Sequence, residues 1–166
     1  MPARFAEKMI VLPILAPIST TDGTSDLLDA SQAHWLTFLL SVGNFTSDST
    51  ATLAVTVEAS TATTTNATTI KLPFRYRLTA AVGTDTQGDI TSVSTGSDGV
   101  ALTATDDSKM LIIDVDPSCI PSVASYTNHR YVGLTWDCTA EVGEIYLSAV
   151  ALLEPRYPGN AIPDVT

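Results

Sequence analysis

Trp35-Leu36-Thr37-Phe38-Leu39-Leu40-Ser41-Val42 sets large apolar residues at every second position. That is the period of a strand with one buried face and one wet face. The same period returns in Thr52-Leu53-Ala54-Val55-Thr56-Val57-Glu58 and in Tyr131-Val132-Gly133-Leu134-Thr135-Trp136. Ser and Thr, about a quarter of the chain, supply the wet face. No segment brings a usable set of catalytic residues together. The chain reads as an all-β, acidic, non-enzymatic protein.

Further runs of this kind predict strands near residues 34–42, 51–59, 69–78, 88–94, 99–105, 109–115, 129–137 and 144–153. Turn chemistry separates them at Gly43-Asn44, at Thr95 to Gly99 and at Asp106-Asp107-Ser108, where glycines and short polar side chains tolerate tight backbone. Eight short strands at this spacing indicate a single antiparallel β-sandwich of jelly-roll type. Its body spans residues 33–154. Leu39, Val55 and Leu134 are expected in the core, with Trp35 and Trp136 as its aromatic anchors.

The ends read differently. Residues 1–32 are expected to form an extended arm, because Pro2, Pro13 and Pro17 interrupt the apolar piece containing Met9, Ile10, Leu12 and Ile14 and proline does not suit a central strand. A helical turn over residues 26–31, capped by Ser25 or Asp26, would close it. Residues 155–166 form an extended tail, since Pro155, Pro158 and Pro163 exclude regular helix. Met9, Ile10, Leu12 and Ile14 of the arm, and Arg156, Tyr157 and Ile162 of the tail, are candidates for contact with a neighbouring subunit. Lys71, Arg75 and Arg77 are three of only eight Lys and Arg residues. Alternation places them on one face of the 69–78 strand, and Pro73 suggests an edge. This basic stripe is a third candidate contact.

A net charge of −10, from 18 acidic against 8 basic residues, opposes direct binding to nucleic acid or anionic membrane. Cys119 and Cys138 lack metal-ligand spacing and are expected to be free thiols. The apolar start resembles a secretory leader, but Glu7 and Pro13 interrupt it, so it reads as mature protein. His34 and His129 both begin strands and are expected at the periphery, without a catalytic role. Asp85, Asp89, Asp98, Asp106, Asp107, Asp114 and Asp116 offer oxygen ligands in loops, yet none has EF-hand spacing. No cofactor or metal is expected.

The order of features resembles the small jelly-roll decoration, or cement, proteins of tailed-bacteriophage heads. The resemblance rests on WLTFLLSVG at residues 35–43, TLAVTVE at 52–58, IKLPFRYR at 70–77, MLIIDVD at 110–116, the strand at 131–136 and VALLEPRYP at 150–158. It covers most of the body and the start of the tail, in pattern rather than in one diagnostic motif. It implies a structural virion protein that decorates and stabilises a bacteriophage capsid from outside by bridging capsid subunits. Its partner would be the major capsid protein, its state on the capsid a homo-oligomer (dimer or trimer), and its site of synthesis the host bacterial cytoplasm. The alternatives are a β-sandwich recognition module of tail-fibre or carbohydrate-binding type, and a tail-tube or baseplate component.

Overall fold

The computed structural model describes residues 8–45, 51–63, 68–80, 84, 86–95, 99–121, 128–138 and 145–156. Among these residues twelve strands follow in chain order: β1 (Ile10–Thr20), β2 (Gly23–Thr24), β3 (Leu28–Asp29), β4 (Ala33–Phe45), β5 (Thr52–Ser60), β6 (Thr69–Lys71), β7 (Phe74–Leu78), β8 (Thr91–Val93), β9 (Val100–Thr103), β10 (Met110–Val115), β11 (Tyr131–Cys138) and β12 (Ile145–Pro155). They form two antiparallel sheets, a β-sandwich, as the alternation predicts. Sheet A runs β1-β12-β4-β10-β7-β8. In sheet B, β11 and β5 lie side by side; β2 and β3 share the free side of β11, while β6 and β9 share that of β5.

Each long strand sends alternate side chains into one core. From sheet A come Leu36, Phe38 and Leu40 of β4, Leu111, Ile113 and Val115 of β10, and Ile145, Ala151 and Leu153 of β12; from sheet B come Leu53, Val55 and Val57 of β5 and Val132, Leu134 and Trp136 of β11. At about 25 cal/mol per Å² of apolar surface removed from water, this burial is the main term favouring the fold. Val55 and Leu134 are fully buried, as expected, but Leu39 and Trp35 are not; both point to the outer face of sheet A.

The arm is the principal correction. Residues 10–20 are an eleven-residue edge strand paired along β12 from Ile10 opposite Leu153 to Thr20 opposite Ile145. Two register shifts, between Pro13 and Leu15 and between Leu15 and Ile18, absorb the prolines. Proline lacks the N–H that a central strand needs, but an edge strand with bulges tolerates it. The following turn is not α-helical either. Leu28–Asp29 pairs with β11, and a short 3-10 helix, Ala30–Gln32, is capped by Asp29, whose Oδ1 accepts from Ser31 N at 2.9 Å.

Two further breaks differ from expectation. Gly43 and Asn44 lie inside β4 rather than in a turn. The predicted 69–78 strand divides at Leu72-Pro73: β6 pairs with β5 in sheet B, whereas β7 pairs with β10 in sheet A. The chain changes sheets there, and Leu72 and Phe74 are buried on either side of the proline. No helix among the described residues is long and apolar enough to cross a membrane.

Candidate contact surfaces

The change of sheet at Pro73 dissolves the basic stripe. Lys71 ends β6, opposite Glu58 on sheet B. Arg75 and Arg77 project from the outer face of sheet A, with backbone positions opposite Asp114 and Ile112. The Arg75 guanidinium lies 5.5 Å from the centroid of the Trp35 ring, a cation–π contact that also covers the ring.

The arm candidates divide by burial. Ile14 is only 2% exposed and belongs to the core, and Ile10 and Leu12 are half-buried against it; Met9 is half-buried just ahead of β1. Ile10, Leu12 and Ile14 therefore pack with the sandwich itself. Arg156 also serves it: its backbone N donates to Gln32 O at 2.8 Å and its Nε to Ala33 O at 3.0 Å, fastening the end of β12 to the start of β4. Tyr157 and Ile162 lie outside the described residues. Because Ile10 stands opposite Leu153, the described residues start and stop on neighbouring strands at one corner of sheet A.

Four of the carboxylates that resembled calcium ligands are engaged within the chain. Asp106 accepts from Thr103 N at 3.0 Å and pairs with Lys109 Nζ at 2.8 Å. Asp107 Oδ1 accepts from Phe45 N at 3.0 Å, Asp114 Oδ1 from Thr37 Oγ1 at 2.7 Å, and Asp116 Oδ1 from Ser118 N at 2.8 Å. Burial pushes the Asp106 carboxyl up, but the Lys109 hydrogen bond, the Thr103 N–H and the Lys109 charge outweigh it and hold the group below its ordinary value. Hydrogen bonds from Ser118 likewise hold Asp116 low. Asp85 and Asp98 lie outside the described residues. Among the described residues no three His, Cys, Asp or Glu side chains gather as metal ligands.

His34 is exposed, whereas His129 is buried, against the expectation that both would be peripheral. Cys138 is a buried free thiol on β11; Cys119 is a half-buried one in the 3-10 helix Pro117–Cys119, where burial and the nearby Asp116 charge raise its pKa. Clefts among the described residues include two of different lining. One, of about 210 Å³, lies among Trp35, Pro73, Arg75, Asp114, Asp116 and Cys119. The other, of about 410 Å³, is lined by Thr61, Asn128, Arg130 and Tyr131. There the Arg130 guanidinium lies 4.8 Å from the Tyr131 ring centroid and 3.3 Å from Asp29. In both clefts an arginine lies over the aromatic ring.

The two outer faces differ in chemistry, which alternation alone did not reveal. That of sheet B carries Thr52, Thr56, Glu58, Thr135 and Asp137. That of sheet A carries an apolar row crossing neighbouring strands: Pro13, Val150, Leu39 and Ile112 occupy successive register positions from β1 to β10. Leu152, Met110 and Val11 extend it, the last two 36% and 50% exposed. No protein-family model matches the chain, and no curated protein matches it.

Proposed function

We propose that this protein is a structural virion component that decorates a bacteriophage capsid from outside and bridges neighbouring subunits of the major capsid protein. The observation that carries this reading is that the described residues start, just ahead of Ile10, and stop, at Arg156, at one corner of sheet A, fixed by Ile10 opposite Leu153 and by the Arg156 fastening. Residues 1–7, with Phe5, and 157–166, with Tyr157, Ile162 and Val165, would then attach as extended chain laid over neighbours. Many such weak contacts on one particle add up through multivalency. The acidic surface suits an external position, away from packaged nucleic acid. The covered rings of Trp35 and Tyr131 offer poor platforms for sugar stacking, which weighs against a carbohydrate-binding module.

The test is co-sedimentation with heads lacking the protein. Since β1 is part of the sandwich, the trimmed variant should lose only residues 1–7 and 157–166, leaving every described residue in place. Circular dichroism should remain that of a β protein, while head binding falls at least about tenfold, roughly 1.4 kcal/mol. Undiminished sedimentation of the trimmed variant would remove the role of the terminal segments. Failure of the full chain to sediment would reject capsid attachment.

A further inference from the structure

Arg130 and Tyr131 stand at the start of β11, on a part of the surface that the capsid reading does not use. Their backbone is held from both sides. Arg130 N donates to Ser60 O at 3.0 Å, and Ala30 N donates to Arg130 O at 2.8 Å. Tyr131 stands in register with Ser60 of β5 on one side and with Asp29 of β3 on the other. Since Val132 and Leu28 point into the core, Tyr131 and Asp29 share the outer face of sheet B. The Arg130 guanidinium lies over the phenol ring, 4.8 Å from its centroid.

The internal contacts of that guanidinium both use one nitrogen. Nη2 donates to Tyr131 Oη at 2.7 Å and lies 3.3 Å from Asp29 Oδ2. The side chain is thereby fixed in place, while the N–H groups on Nε and Nη1 are left for a ligand. The Tyr131 oxygen accepts from Arg130, so its own O–H is left to donate elsewhere. These two residues line the cleft of about 410 Å³ together with Thr61 and Asn128. Each of the four side chains carries a donor: guanidinium, phenol, hydroxyl and amide. No carboxylate lines it among the described residues, whereas the smaller cleft holds Asp114 and Asp116. In a chain with 18 acidic residues against 8 basic ones, a cleft so lined favours an anion.

The engagement of Nη2 narrows the choice of anion. An arginine grips a planar carboxylate by two parallel N–H bonds, and either way of doing so needs Nη2. A tetrahedral group does not depend on that fork. It presents three acceptor oxygens, and these can be shared among Nη1 or Nε of Arg130, the Tyr131 phenol and the Thr61 and Asn128 side chains. We propose that this cleft binds the phosphate group of a small molecule. The site uses none of residues 1–7 or 157–166 and does not rest on capsid attachment. With the Arg130 side chain 54% exposed and a net charge of −10 on the protein, water and repulsion keep the contact weak. A dissociation constant of about 1 to 10 mM is expected.

An NMR titration of the full chain with inorganic phosphate, sodium chloride being withdrawn to hold ionic strength constant, tests the assignment. The Arg130 Nε–H signal and the backbone signals of Thr61 and Tyr131 should shift along a saturable curve. Arg130→Gln should abolish saturation. Its circular dichroism should stay that of the parent, because the backbone bonds to Ser60 and Ala30 do not involve the side chain. Tyr131→Phe keeps the ring and removes the donor, and should weaken binding about three- to tenfold. Arg75→Gln, the same loss of charge at the other cleft, should leave binding unchanged. Glycerol 3-phosphate is the second probe: tighter binding than inorganic phosphate identifies an organic phosphate as the ligand, and equal or weaker binding identifies the free ion. Shifts that never saturate, that persist in Arg130→Gln, that Arg75→Gln removes equally, or that acetate reproduces at the same concentration would overturn the proposal. None of these results bears on co-sedimentation with heads, so the two readings fail separately.

Discussion

Leu39 and Leu40 are adjacent, identical in chemistry and opposite in environment: Leu40 is fully buried, whereas Leu39 faces outward. Truncating a buried leucine or phenylalanine leaves a cavity that the surroundings fill only in part. Leu134→Ala should therefore cost about 2 to 5 kcal/mol and Phe38→Ala about 3 to 5. Leu39→Ala should cost about 1 kcal/mol or less, because water already reaches the site. Urea melts give these values directly, and equal losses at Leu39 and Leu134 would contradict the assigned faces. The alternation in residues 35–42 gave the strand correctly but not the faces of all its residues. Trp35 and Leu39 make the outer parity of that strand apolar as well, so hydrophobicity alone could not separate the core face from the outer one.

At the level of elements, the turns rest on carboxylates. Asp106 holds the start of the 3-10 turn Ala104–Asp106 through Thr103 N and Lys109, and Asp116 holds the turn Pro117–Cys119 through Ser118. Both groups titrate below the ordinary value of 3.8 in the folded protein. A depressed folded pKa contributes stability that is complete above the unfolded value and is lost as pH falls through the folded one. Denaturant midpoints should accordingly hold steady down to about pH 5 and drop below about pH 4, and Asp106→Asn should flatten that drop. A wild-type midpoint insensitive to pH in this range would contradict the capping role. The same carboxylates looked like metal ligands in the sequence, because the sequence shows their clustering but not the backbone N–H groups they face. Proline misled in a similar way: Pro13 and Pro17 argued against a strand for residues 10–20, yet the bulges of an edge strand accommodate them. The change of sheet at Leu72-Pro73 was hidden because the apolar period continues unbroken across it.

Across the whole molecule, sheet A is closed on one side by the pairing of β1, from the beginning of the chain, with β12, from near its end. During translation β1 emerges first, and 124 residues separate Thr20 from Ile145, counting 21 to 144. At about 5 to 20 residues per second, that strand waits roughly 6 to 25 s for its partner. Over that interval Ile10, Leu12 and Ile14 have no completed sheet to cover them, and β4, flanked in the finished sheet by β12 and β10, lacks one neighbour. Nascent chains arrested before residue 145 should be cut by protease within residues 10–20, whereas fully released chains should resist there; protection of that segment in the arrested chain would mean that β1 finds another partner first. Those bulges and prolines therefore have a second use before the sheet exists. They make the waiting strand a poor template for pairing with other nascent chains, so the departures from regular strand geometry that the finished sandwich merely tolerates would guard the unfinished one against aggregation on the ribosome.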